Sequence, residues 1–153
     1  MEESIIMDFP CFNTLDPRQI SALGLAYIGD AIYEVYVRSH VLAAGDTNVN
    51  RLHKMSTGYV SAKAQSRIIH SIADELTEEE FAVYKRGRNA HSNTSAKNAD
   101  IVDYRHATGF ETLIGYLFVS KKFDRMCEII NLALNYIDKE REIKINEGEG
   151  NNE

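Results

Sequence analysis

Asp30 and Glu111 are the residues of this chain whose types and settings most suggest chemistry. Asp30 is the one charge in Leu23-Gly24-Leu25-Ala26-Tyr27-Ile28-Gly29-Asp30-Ala31-Ile32-Tyr33, and Glu111 is the one acid in Phe110-Glu111-Thr112-Leu113-Ile114-Gly115-Tyr116-Leu117-Phe118. A helix through the first stretch has no polar face, so Asp30 is expected among apolar neighbours. A carboxylate there must be paired, protonated or bound to a cation. Two such acids on two helices could meet around a shared metal ion. Mg²⁺ takes oxygen ligands, keeps several waters and can be held by one or two carboxylates together with substrate phosphates. In phosphodiester hydrolysis such an ion lowers the pKa of a water and offsets charge growing on the phosphate. The alternative for either acid is an ion pair, with Arg38, Lys54 or Arg105 as partner. Glu34, one turn after Asp30, shares its face and also stands four residues before Arg38, the spacing of a helical ion pair.

The elements that would position these acids are all helical, because the apolar spacing follows the helix period and nowhere alternates long enough for a strand. Asp16-Pro17 is a start signal, leading into one long helix, or a short one and a long one, up to Ala44, with Gly45 as the stop. Asn48 caps a short helix to about Lys54, and Ser56 or Thr57 opens the next, with Val60, Ala64, Ile68 and Ile72 on one stripe. Thr77-Glu78-Glu79-Glu80 reads as a capping box. Residues 89–98 read as a polar loop. Two more helices follow, about 100–120 and 123–138. The domain reading is an extension over 1–15, a catalytic-type helical domain over 16–140 and an acidic, disordered tail over 141–153. Gly24 and Gly29 in the first long helix, and Gly109 and Gly115 in the fifth, each cost about 1 kcal/mol relative to alanine. Close helix–helix approach accounts for them, and it would also bring the carboxylates within reach of one ion.

The chain has 153 residues, enough for one domain with a core of its own. Its apolar fraction, 44%, is that of a globular protein. No apolar run is long enough to span a membrane, and the start Met1-Glu2-Glu3-Ser4 is wrong for a secretory or transit signal. A cytoplasmic protein is expected, with Cys11 and Cys127 as reduced thiols. The net charge of −6 is carried by the two ends, 1–9 and 140–153, at −3 each. The body between is neutral, and within it 81–106 carries a net +3, compatible with phosphate binding. The five histidines lack zinc-ligand spacing, and no Gly-rich phosphate loop or Gly-x-Ser-x-Gly elbow occurs.

The string Tyr27-Ile28-Gly29-Asp30-Ala31-Ile32 resembles the signature of the ribonuclease III catalytic domain, and Phe110-Glu111-Thr112-Leu113-Ile114-Gly115 resembles that family's second acidic helix. Leu25 to Asp30, Val60-Ser61-Ala62-Lys63-Ala64-Gln65, Lys85-Arg86-Gly87-Arg88-Asn89-Ala90 and Ala96-Lys97-Asn98 are similar to the short Mini-ribonuclease III branch, which lacks a double-stranded-RNA-binding domain. Together these strings cover about residues 16–138, in the family's order. The resemblance implies an all-α, homodimeric endoribonuclease that cuts double-stranded RNA with Mg²⁺ and leaves 5′ phosphates. It also implies the precursor of 23S ribosomal RNA as substrate and leaves open an assisting ribosomal protein. Asp30 carries over as the catalytic aspartate and Glu111 as its partner metal ligand. Ordinary members carry further acids where this chain has Leu23, Ala26 and Thr108, so the number of metal ions is left open.

A-form duplex is held through shape, phosphates and 2′-hydroxyls. The segment 85–98 offers Lys85, Arg86 and Arg88 for phosphates and Asn89, Ser92, Thr94 and Asn98 for hydroxyls, and Lys97 and Arg105 extend the track. The face of Tyr27, Ile32 and Tyr36 is expected to serve a dimer. A non-catalytic RNA- or ribosome-binding module that kept the fold, and a helical dimerisation scaffold, are the competing readings.

Overall fold

Short polar side chains start the helices. The computed structural model describes residues 11–90 and 100–150. Ser21 caps α1 (Ala22–Ala43), its hydroxyl accepting from the Gly24 N–H at 3.0 Å. Asn48 caps α2 (Val49–Val60) through the Arg51 N–H at 3.1 Å, as its position in the sequence predicts. Ser61 caps α3 (Ala62–Ile72), and a reciprocal Thr77–Glu80 capping box opens α4 (Glu78–Arg88). α5 (Asp100–Val119) and α6 (Phe123–Gly150) complete an all-α bundle, with no strand among the described residues. Gly45, at φ 98°, ends the chain's run past α1 in the left-handed region. Lys121, at φ 61°, does the same after α5, where the Lys122 N–H reaches the Leu117 carbonyl and the Lys121 N–H that of Phe118.

Three sequence expectations are corrected. Asp16-Pro17 starts only a turn, in which Asp16 accepts from the Arg18 backbone and guanidinium, and α1 begins later, at Ser21. The second helix does not stop at Lys54. Thr57 bonds back to the His53 carbonyl at 3.0 Å inside a continuing helix, so the break and the next cap fall at Ser61. The tail expected to be disordered from 141 is helical as far as Gly150. Lys139-Glu140-Arg141-Glu142 are strong helix formers. Arg141 fastens that end, lying 4.5 Å over the Tyr59 ring and donating to the Tyr59 hydroxyl and the Met55 carbonyl.

α5 is apolar nearly all round and is accordingly the central helix, packed against α1, α3, α4 and α6. Phe110, Leu113, Ile114 and Leu117 are fully enclosed. The Phe110 ring meets Tyr33 edge-on at 5.1 Å, and the Tyr33 hydroxyl donates to the Tyr59 carbonyl at 3.0 Å, tying α1, α2 and α5 together. Behind α4, the buried Glu80 carboxylate takes two 2.9 Å bonds from Arg125 of α6.

The glycines set the helix spacing where the sites need it. An ideal Cβ on Gly29 would lie 1.9 Å from the Glu111 carbonyl oxygen, and one on Gly115 would lie 1.9 Å from the Leu25 carbonyl oxygen. α1 and α5 therefore cross backbone to backbone, each supplying a glycine opposite the other's carbonyl. Gly109 is pressed against the Tyr84 ring of α4 instead, and Gly24 faces only Ile20 and Ser21 at the start of its own helix.

Candidate active site

The α1–α5 crossing places the two acids together. Gly29 rests on the backbone of Glu111, and Asp30, the next residue of α1, is near enough for its charge to act on the Glu111 carboxyl. Electrostatics report the same neighbourhood. Glu111 is mostly buried, and its carboxyl is pushed from 4.5 up to about 7, first by desolvation and then by the Asp30 charge, with Glu34 adding to it. Asp30 is also raised, by desolvation and then by Glu34. The Asp30 charge opposes ionisation of Glu111.

No cation compensates these acids among the described residues. Arg38, offered by the sequence as a partner for Asp30, is bonded at 3.1 Å to Glu34, the residue four positions before it. Glu111 receives one hydrogen bond, from the Gln65 amide at 3.1 Å. Among the described residues neither acid forms the ion pair that was the alternative to metal binding. Asp30 itself differs from expectation: its side chain is exposed and not enclosed. The reason is that α1 buries only the stripe of Leu25, Ala26, Gly29, Tyr33, Val37 and Val41. The opposite side of this helix is left to solvent although it is apolar, with Tyr27 86% and Val35 61% exposed. A helix without a polar face does not have to be buried all round if its free side meets something else.

Gln65 is the site residue that the sequence did not single out. It is 99% buried on α3, and its amide nitrogen donates both to Glu111 and to the Val60 carbonyl at 2.9 Å. Its signals were its place at the end of the Val60–Gln65 string and a glutamine on the largely apolar buried face of α3. Thr108, at a position that is acidic in ordinary ribonuclease III domains, is buried and donates to the Tyr104 carbonyl, while Ala26 is in the core. Neither adds an oxygen ligand.

Among the described residues no group of three or more His, Cys, Asp and Glu side chains is arranged to enclose an ion. Two neighbouring carboxylates, exposed on the Asp30 side and without a cationic partner among the described residues, still suit a hard cation that retains waters. The donor set, all oxygen, excludes a thiolate or imidazole site. His106 is a core-edge residue, its Nδ1 3.0 Å from the Ser66 hydroxyl and its ring against His70, and burial holds its pKa below the ordinary value. The apolar groove of about 200 Å³ between α1 and α2, lined by Val41, Leu42, Val49 and Leu52, holds none of the acids. Of the two acids only Asp30 is exposed, so the pair opens to solvent on the α1 side.

The basic residues fall into two groups. Lys85, Arg86 and Arg88 form the last turn of α4, the first two exposed and Arg88 half-buried, with Lys85 5.2 Å over Phe81 and Arg88 5.7 Å over Tyr84. Asn89 follows and accepts from Arg88. Arg88 also bears electrostatically on His106, which sets this turn beside the first half of α5, where Arg105 is exposed. Lys97 and Asn98, together with Ser92 and Thr94, lie outside the described residues.

The Ribonuclease III domain model matches residues 23–122, the span that contains the crossing, both acids and Gln65. The chain belongs to the ribonuclease III family. As an endoribonuclease of that family, it is similar to the Mini-ribonuclease 3 of Clostridium tetani, 50% identical over 139 residues, 90% of each chain. It is similar also to that of Enterococcus faecalis, 49% identical over 129 residues, 83% of this chain and 98% of the relative. In structure it resembles a Fusobacterium nucleatum protein solved by X-ray crystallography, with a TM-score of 0.72 and 34% identity over 79% of this chain and 99% of that one. The ribonuclease III domain expected from the two acidic strings is therefore borne out, and the reading as a scaffold without activity is not.

Proposed function

We propose that this endoribonuclease cuts double-stranded RNA with Mg²⁺ held between Asp30 and Glu111, and that the precursor of 23S ribosomal RNA is its substrate. The observation that carries the reading is the uncompensated pair of carboxylates across the glycine crossing. A Mg²⁺ ion bound there would supply a water of lowered pKa and offset charge developing on the scissile phosphate. The chain's own part is to hold two acids at a fixed spacing, with Glu34 adding negative potential behind them, and to keep Glu111 oriented through Gln65. Burial and Asp30 hold the Glu111 carboxyl near 7, so binding of a cation there would favour its ionised form.

The duplex grip falls to Lys85, Arg86, Arg88, Asn89 and Arg105, with Lys97 and Asn98 continuing it. The last turn of α4 offers phosphates the exposed Lys85 and Arg86 and the half-buried Arg88. Homodimer formation is the proposed use of the free apolar side of α1, where Leu23, Tyr27, Val35 and Leu42 are exposed. Tyr36, placed on that face from sequence, instead contacts the Cys127 sulfur of α6 at 3.4 Å and belongs to the interior. A duplex has two strands, and two copies of one carboxylate pair cut both. No helix among the described residues is long and apolar enough to cross a membrane, which accords with the proposed cytoplasmic setting.

The test is cleavage of a long RNA duplex by wild type and Asp30→Asn, each with Mg²⁺ or with chelator. Cutting by wild type with Mg²⁺ alone is expected. Cutting by Asp30→Asn at the wild-type rate, or undiminished cutting in chelator, overturns the assignment of the pair.

A further inference from the structure

We infer that Gln65 is a positioning residue for the nuclease: its amide fixes the Glu111 carboxylate so that one oxygen is committed to the protein and the other is presented to the cation beside Asp30. The inference rests on the proposed metal role of Asp30 and Glu111 and adds a third participant from a different helix.

The geometry is specific. Gln65 has a single amide nitrogen with two hydrogens, and both are used, one on the Val60 carbonyl at the end of α2 and one on Glu111 Oε1. The first bond holds the amide plane, and the second holds the carboxylate. The Gln65 carbonyl oxygen, by contrast, is buried with no partner among the described residues. A side chain kept only to fill the gap between α3 and α5 could be apolar and would bury no unmatched oxygen. A side chain kept only to cap the Val60 carbonyl would not need to reach Glu111. Both features are accounted for if the donor end is what the site requires. Groups that orient a metal-binding carboxylate act in this way, and their removal typically costs about 10- to 100-fold in metal affinity or activity.

The experiment uses the full chain with Gln65→Met and Gln65→Glu. Met keeps the length and apolar volume but cannot donate, and Glu keeps an oxygen at the same reach but cannot donate when ionised. Mg²⁺ binding is measured calorimetrically without RNA, the Mg²⁺ concentration for half-maximal cleavage is measured on a duplex, and melting is followed in chelator. For Gln65→Met, Mg²⁺ affinity falls by about tenfold or more, the half-maximal Mg²⁺ concentration rises in parallel, and kcat recovers at high Mg²⁺. Gln65→Glu is no better than Met. A purely structural glutamine gives the opposite pattern: melting falls while Mg²⁺ affinity and the half-maximal concentration stay at wild-type values, which overturns the inference. Full function in Gln65→Glu overturns it too, because the donor would then be dispensable. If wild type itself binds no Mg²⁺ and cuts without it, the metal assignment of Asp30 and Glu111 fails first, a result distinct from either.

Discussion

Replacing Glu111 by glutamine should make the metal-free protein more stable while it abolishes cleavage. The carboxyl of Glu111 ionises at about 7 in the fold, against 4.5 ordinarily. Between those two values the folded chain binds more protons than the unfolded one, so stability falls as pH rises through that window. Below the ordinary value both states are protonated and the residue contributes no difference. Above about 7 the ionised carboxylate sits beside Asp30 in a poorly solvated place. At about 1.36 kcal/mol for each pH unit, the gap amounts to a cost of about 3 kcal/mol. Glutamine fills the same space, can keep a bond to Gln65 and carries no charge. In chelator at pH 8, Glu111→Gln should therefore exceed wild type by about 2 to 3 kcal/mol, or roughly 5 to 10 °C in melting temperature for a domain of this size. At pH 4.5 the two should melt together. Saturating Mg²⁺ at pH 8 should raise wild type, because a ligand that binds only the folded state stabilises it, and should leave the variant unmoved. Urea denaturation at both pH values, with and without Mg²⁺, measures all of this. If the difference between variant and wild type is the same at pH 4.5 and pH 8, the electrostatic reasoning about the pair is wrong.

Two more expectations follow from the crossing and the basic turn. Gly29→Ala forces a methyl to within 1.9 Å of the Glu111 carbonyl oxygen, so α1 and α5 must move apart. The expected loss is about 1 to 3 kcal/mol of stability with a drop of at least about 100-fold in cleavage, read from melting and initial rates; unchanged cleavage would show that the crossing does not set the carboxylate spacing. Alanine at Lys85, Arg86 and Arg88 together should weaken duplex binding at low salt and reduce the slope of log affinity against log salt by roughly two to three, as a gel-shift series would show. A slope equal to that of wild type would move the RNA grip elsewhere.

The sequence by itself determined the helical class, because a period of 3.6 in apolar residues and caps such as Asn48 and the Thr77–Glu80 box are local signals. It also singled out the two acids proposed as the site. Asp30 and Glu111 are conspicuous because their neighbours are apolar, and Gly29 and Gly115 beside them announce a close crossing, since glycine inside a helix is costly without one. Other features depend on what packs against what. Ser61, and not Ser56 or Thr57, became the cap of α3 because Thr57 found a partner within its own helix. The end of α6 is helical because Arg141 reaches Tyr59 and Met55, more than eighty positions earlier. Asp30 turned out exposed because an apolar helix does not say which of its sides the core will take. Gln65 carried little local mark beyond its place in the Val60–Gln65 string: its meaning comes from Val60 and Glu111, which only the fold brings to its two amide hydrogens. Local chemistry selects the residues that could act, and the distances and charges that let them act together are properties of the packed helices.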